Sequence, residues 1–331
     1  MFGAQSILAP MPHPCLVIAG PTAGGKSELA MRLARELPGG GEIVCADSMQ
    51  VWLGMDIGTA KPSAAERAEI PHHALDLADP HRDAFSAAAW LAVAERAIED
   101  IRARDRWPIV VGGTNLYLRL LLEGMAREVP NDPAVRAALE ARETSDLRRE
   151  LERTDPATAA TIHANDRRRT IRALEIAALT GAPASVSRDQ WSDASVRIPD
   201  HMRLIGIDWS AAAINARINA RVQRMLDTGW KHEVIALLHR GPLLAQPLEA
   251  VGYRELLEAL EGRLTLADAA ERIKSRTRRF AKQQRTWLKK FHDGEKSLWL
   301  QADHSPEGAW SRQVIEWLQD GSRTGNSPSP T

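Results

Sequence analysis

Residues 20–27 read GPTAGGKS, directly after the apolar run Cys15-Leu16-Val17-Ile18-Ala19 and directly before a segment with helical spacing. A G-x-x-x-x-G-K-[ST] loop between a strand and a helix aims converging backbone N–H groups at a phosphate or diphosphate. In such a loop Gly20, Pro21, Thr22, Ala23, Gly24 and Gly25 form the cradle and Lys26 reaches the terminal phosphates. The Ser27 hydroxyl is positioned for a magnesium ion. The loop specifies a phosphate without saying which one.

The strand before the loop covers residues 15–19 and the helix after it residues 26–37, stopped by Pro38-Gly39-Gly40-Gly41. Further strands are expected at 43–46, 108–111, 203–207 and 298–300. The third of these five closes with Gly112-Gly113-Thr114 and leads into a helix over 116–122. Strands alternating with helices predict an α/β fold, a P-loop-type parallel sheet covered by helices on both faces. Between residues 130 and 199 strand signals vanish, and helical stretches break at Thr154-Asp155-Pro156 and Gly181-Ala182-Pro183. The expected organisation is a core over 14–128, a small all-helical insertion over 129–200 and a second core part over 201–320. A polar, disordered tail over 321–331 completes it.

Two cysteines, Cys15 and Cys45, sit in apolar runs and read as buried strand thiols, so no disulfide framework exists to indicate an oxidising compartment. The first residues lack a basic start and carry prolines, and no apolar run is long enough to cross a bilayer. A cytoplasmic protein is expected, monomeric and with no obligate protein partner. Its 331 residues carry no net formal charge, so a polyanion must be met by local patches.

Asp47 ends the second strand, at the carboxyl edge where ligands bind in such sheets. It suits magnesium, a general base toward a second substrate, or merely the cap of the next turn. Asp208, closing RLIGIDW, has the same local look, and spacing leaves the choice open.

The chain continues with DSMQVWLGMDIGTAKP from residue 47, PHHALD from 71, VVGGTNLYL from 110, VGYRE from 251 and RRFAKQQRTW from 278. In this order, and with the phosphate loop, these segments resemble the tRNA dimethylallyltransferase (tRNA isopentenyltransferase) family of bacterial type, over about residues 15–300. The resemblance implies transfer of a dimethylallyl group from dimethylallyl diphosphate to the exocyclic amine of the adenosine 3′ of the anticodon in tRNA. The phosphate loop then cradles a leaving group. By resemblance Asp47 is the base, Thr22 lies close to the reacting centre, and Arg217 in ARINARVQRML holds the diphosphate. Ser48, Met49 and Gln50 meet the extruded nucleotide, and Thr114 lies where the substrates join. The segments Arg168-Arg169-Thr170-Ile171-Arg172 and Val251-Gly252-Tyr253-Arg254, with Lys282, contact the tRNA anticodon stem-loop.

Two basic tracts fit an RNA partner. One is Arg167 to Arg169 with Arg172. The other holds Arg272, Lys274, Arg276, Arg278, Arg279, Lys282, Arg285, Lys289 and Lys290, with Phe280 and Trp287 threaded through it. Departures from the family pattern are Trp52 for tyrosine, Gln283 and Lys289 for arginines, and Asn115 for a glycine whose left-handed backbone asparagine tolerates. His72 and His73 fall in a family motif without an assigned role. A P-loop small-molecule kinase shares the loop but leaves the basic tracts unexplained. An adenylate isopentenyltransferase acting on free nucleotides leaves the insertion unexplained. A GTPase lacks its N-K-x-D here.

Overall fold

The computed structural model describes residues 13–124, 132–187, 196–291 and 294–324. The chain divides into one unit of Met1–Glu123 with Ser195–Thr331 and another of Gly124–Ala194. The first unit opens with β1 (Cys15–Ala19), α1 (Lys26–Glu36), β2 (Gly41–Ala46), α2 (Ala64–Glu69) and β3 (His72–His73). It continues with α3 (Ala87–Ala103), β4 (Trp107–Gly112) and α4 (Asn115–Glu123). The second unit holds α5 (Pro133–Glu140), α6 (Thr144–Thr154), α7 (Pro156–Thr161), α8 (Arg167–Thr180) and α9 (Ala184–Ser187). The chain then returns to the first unit through β5 (Met202–Asp208), α10 (Ala211–Asp227), α11 (Trp230–His239) and α12 (Tyr253–Leu260). It ends with α13 (Leu266–Leu288), β6 (Ser297–Gln301) and α14 (Glu307–Thr324).

Among the described residues the strands form one six-stranded parallel sheet in the order β3-β2-β4-β1-β5-β6. From β1 the chain builds β2, β3 and β4 on one side, then passes back to add β5 and β6 on the other. The loop after β1 therefore sits where the order reverses, the place where such sheets open a ligand crevice. All five residues of β1 are apolar and fully buried, as expected of a strand covered on both faces. Trp90 of α3 is likewise buried, stacks on Tyr117 at 4.4 Å between ring centres, and donates its Nε1–H to Cys45 O at 2.8 Å. A side chain of this size contributes about 3 kcal/mol by leaving water. Cys15 and Cys45 are free and buried, and burial pushes both thiols up to about 12.

In the second unit Leu139, Leu147, Leu151, Ile162, Ile171 and Leu174 form a separate core. Asp155 ends α6, and its carboxylate accepts the Thr158 and Ser185 amides at 3.0 and 2.8 Å, while Pro156 opens α7. Gly181, with φ 71°, terminates α8.

Several elements lie outside the sequence-based expectations, the short α2 among them. β3 is two residues long, too short to display a period, and pairs His72 and His73 with Ile43 and Val44. In α3 the alanines that fill its solvent side blur the buried stripe of Trp90, Leu91, Ala94, Ile98 and Ile101. The last helix, α14, runs to Thr324, so residues 321–324 of the stretch expected to be disordered are helical. The remainder of that tail, and the boundary expected between 128 and 129, lie outside the described residues. Asn115 needs no left-handed backbone: it is the first residue of α4 and has no positive φ.

Candidate active site

The loop of residues 20–27 joins the carboxyl end of β1 to α1, which begins without a side-chain cap. The amides of its first turn are thus left for a ligand. Gly24 donates to Pro21 O at 3.1 Å, which tightens the loop. Gly25 takes φ 85°, and a Cβ there would also meet the Trp310 ring at 2.9 Å, so glycine is required twice over. Ala23 is left-handed too, at φ 61°, a strain of about 1 kcal/mol for alanine. Lys26 Nζ donates to Pro21 O at 2.8 Å. Burial, and then the charge of Arg221, hold its pKa down at about 8, against the opposing pull of Asp47.

Lys26 and Ser27 wall a cavity of about 440 Å³ together with Thr22, Asp47, Ser48, Met49, Gln50 and Thr114. Another part of the wall is apolar: Ala30, Met31, Ile43, Val111, Ile218, Val222 and Met225. One chamber therefore joins a phosphate cradle, a carboxylate and a greasy lining. Asp47 Oδ1 accepts the Met49 amide at 2.8 Å, so the carboxylate does cap its turn, and no hydrogen bond engages Oδ2 among the described residues. Thr114 Oγ1 accepts the Ser48 amide at 2.9 Å and lies 3.3 Å from Ser48 Oγ, tying the DSMQ segment to the turn after β4. Gln50 Nε2 donates to Thr59 O and Ala60 O at 3.1 and 3.2 Å. Asp208 is exposed beside Gln301 of β6 and does not line the cavity. Geometry thus separates two aspartates that spacing could not.

Arg217 lies in an adjoining recess of about 330 Å³, against residues 23–28 and with Arg221 and Arg224. Its Nε donates to Ala23 O at 2.8 Å, its Nη1 pairs with Glu307 at 2.6 Å, and its guanidinium covers the Trp209 ring at 4.7 Å. Trp209 Nε1 in turn donates to Gly24 O at 3.1 Å. Arg217 therefore shapes the loop from outside the main cavity. Arg221, absent from the sequence-based site, lines both spaces, and burial lowers its pKa. It falls one turn after Arg217 on the same face of α10, a spacing visible in ARINARVQRML.

Two braces were also missed. Gln284 of α13 is 3% exposed, accepts the Thr22 amide at 2.9 Å on Oε1 and donates Nε2–H to Gly113 O at 2.8 Å. A Cβ on Gly113 would sit 2.3 Å from that nitrogen, so any larger residue there would displace the brace. The buried stripe Ala270, Ile273, Ala281, Gln284, Leu288 carries the signal, since a polar residue on an apolar face needs partners. The second brace is Glu233, whose carboxylate accepts the amides of Asp56, Ile57 and Gly58 and the Tyr253 hydroxyl, the last at 2.7 Å. It anchors the MDIGTAKP loop, five residues of which, Gly58 to Pro62, reach the cavity wall.

Several residues expected on an RNA face lie inside the fold. Tyr253 is fully buried edge-on to Trp230, with Gly252 packed beside the same indole. Thr170 and Ile171 are buried in the second unit. Arg168, Arg169, Arg254 and Lys282 are exposed, Arg172 pairs with Glu175 at 2.7 Å, and Val251 lines the cavity. The long basic tract is also divided. Arg272, Lys274 and Arg276 pair with Glu258, Glu271 and Glu255, and Arg278 bonds Asn219 at 2.6 Å. Arg279 and Lys282 are exposed with no side-chain partner among the described residues. His73 bonds Glu42 at 2.8 Å and so orders the sheet edge, while His72 reaches the cavity with its pKa lowered by burial.

The Ser27 hydroxyl and the Asp47 carboxylate are hard oxygen donors on one wall, a set that fits magnesium shared with phosphate oxygens and water. Among the described residues no group of three or more His, Cys, Asp or Glu is placed to hold a metal. A cation would draw most of its ligands from the diphosphate and from water.

The sequence profile of the IPP transferase family matches residues 50–291. The chain is 47% identical over 292 residues to tRNA dimethylallyltransferase 1 of Pelobacter propionicus, covering 86% of this chain and 92% of that one. It is 44% identical over 279 residues to tRNA dimethylallyltransferase 1 of Citrifermentans bemidjiense, covering 84% and 90%. The crystal structure of the tRNA isopentenylpyrophosphate transferase of Bacillus halodurans matches with TM-score 0.67 and 34% identity, over 95% of this chain and all of that one. A eukaryotic dimethylallyltransferase acting on tRNA matches with TM-score 0.77 and 27% identity, over 96% of this chain and 81% of that one. The chain belongs to the IPP transferase family, alongside the tRNA dimethylallyltransferases.

Proposed function

We propose that this enzyme transfers a dimethylallyl group from dimethylallyl diphosphate to the exocyclic amine of an adenosine 3′ of the anticodon in tRNA, releasing diphosphate. The observation that carries the reading is the single chamber in which the Lys26–Ser27 cradle, the Asp47 carboxylate and an apolar wall meet. A short branched hydrocarbon with a diphosphate head matches that combination, whereas a kinase has no use for the apolar lining beside its base. The amine lone pair attacks the allylic carbon as the carbon–oxygen bond to diphosphate breaks. Asp47, held at Oδ1 by Met49, takes the amine proton on Oδ2. Charge builds on the departing oxygen, where Lys26, Arg221 and the amides of the loop stabilise it. Ser27 would hold a magnesium ion, which would supply further positive charge to the diphosphate. The adenosine reaches the chamber by leaving its stack, and Ser48 and Thr114, locked to each other, border its path.

The tRNA is the proposed partner of the exposed Arg254, Arg279 and Lys282, and of Arg168 and Arg169 in the second unit. We place the reaction in the cytoplasm, where that RNA resides; no described helix is long and apolar enough to cross a membrane. The test is diphosphate release. With dimethylallyl diphosphate and magnesium, release should require unmodified tRNA, and ATP should not turn over with or without it. Magnesium-dependent ATP hydrolysis at about one per second or faster would favour a kinase.

A further inference from the structure

We infer that Phe280 is the stacking platform that receives an RNA base at the mouth of the cavity, a positioning residue for the nucleic-acid substrate. The inference rests on the proposed function. Along α13, Thr277, Phe280 and Gln284 fall on one face and all line the cavity. Gln284 is buried and fully occupied by Thr22 and Gly113, and the Thr277 hydroxyl is occupied by Ile273 O at 2.7 Å. Phe280, one turn from Gln284, is 42% exposed, and no aromatic ring or cation covers it among the described residues.

A large apolar side chain held in water at the rim of a cavity has an unspent contact surface. Trp287, two turns along at 37% exposure, differs: Lys290 caps its ring at 4.8 Å. What reaches Phe280 is indicated by charge. The residues flanking it in sequence include the exposed Arg279 and Lys282, which like Arg285 have no side-chain partner among the described residues, whereas the preceding four basic residues are engaged. An open aromatic ring at a cavity rim, with unengaged cations within a turn of it on the same helix, suits a single-stranded nucleic acid, the base on the ring and the phosphate backbone passing the charges. The competing occupant is the prenyl chain of the donor, which the apolar wall deeper in the same cavity also suits.

The experiment compares Phe280→Ala, Phe280→Leu and Phe280→Trp, with affinity for a fluorescent anticodon stem-loop RNA read by anisotropy and donor diphosphate affinity read by calorimetry. Because Phe280 is exposed, all three should melt within a few degrees of the parent. The expected result is a roughly ten- to hundredfold loss of RNA affinity for Phe280→Ala. Phe280→Leu should share the loss, Phe280→Trp should recover, and donor affinity should stay unchanged in all three. Recovery by leucine equal to that by tryptophan, unchanged RNA affinity in Phe280→Ala, or weakened donor binding would each overturn the inference. Neither binding measurement needs turnover, so a parent enzyme that transfers no prenyl group would sink the proposed reaction and leave this result standing on its own.

Discussion

Gln284 offers a sharp test of how the phosphate loop is held. The substitution Gln284→Leu keeps the volume and removes both hydrogen bonds, leaving the Thr22 amide and the Gly113 carbonyl without their partner. An abandoned buried polar group costs about 1–3 kcal/mol. Gly113 is buried and stands at the upper end of that range, while Thr22 is half-buried, partly recovers water and stands at the lower end. Leucine regains part of the loss by burying carbon, so the net destabilisation should be about 2–4 kcal/mol. The matched control is Gln283→Leu, one position away and exposed, which should stay within about 0.5 kcal/mol of the parent. Urea denaturation followed by tryptophan fluorescence reads both variants. Equal stability of the two, or a loss in Gln283→Leu as large as in Gln284→Leu, would refute the assignment of Gln284 as the clasp between the loop and the turn after β4.

Lys26, held at about 8, should be protonated and fully effective below neutrality and should lose its charge as pH rises through that value. Diphosphate affinity measured by calorimetry should therefore be level below pH 7 and about tenfold weaker at pH 9; a flat profile to pH 9 would contradict the shift. Asp47→Asn keeps the cap on Met49 and removes the proton acceptor, so both substrates should bind normally while turnover drops about a hundredfold. Weak diphosphate binding that extra magnesium repairs would make Asp47 a metal ligand instead. Replacing Arg279 and Lys282 by alanine should weaken RNA binding and reduce its salt slope by about 1.4, two phosphates' worth for a single strand. Replacing the paired Arg272 and Lys274 should change that slope far less.

What was legible in the sequence followed from local chemistry. The loop and Asp47 were found because strand, glycines, lysine and acid lie within one short segment, and the five longer strands because each is a bounded apolar run. Asp47 and Asp208 could not be ranked, because the choice depends on which strand ends share a crevice, and only the sheet order decides that. Arg221 was passed over for Arg217, which shares its helix face, and Gln284 for Gln283, from which helical phase does separate it. Tyr253 misled in the opposite sense. Its motif resembles an RNA-contacting segment, yet its hydroxyl is the partner of Glu233, itself a distant residue on α11. Long-range partners of this kind leave no periodicity to read. The free and the engaged parts of the basic tract differ through acids on α12 and within α13 and through Asn219 of α10, so a charge count could not tell them apart.

The central claim is that one chamber joins an isoprenoid diphosphate to an RNA adenosine. Its most direct test is mass spectrometry of nucleosides from unmodified tRNA after incubation with the protein, dimethylallyl diphosphate and magnesium. The account requires one adenosine per tRNA, 3′ of the anticodon, to gain the mass of a dimethylallyl group, with free adenine nucleotides left unmodified in the same mixture. An unaltered tRNA, or prenylation of the free nucleotide in its place, would contradict it.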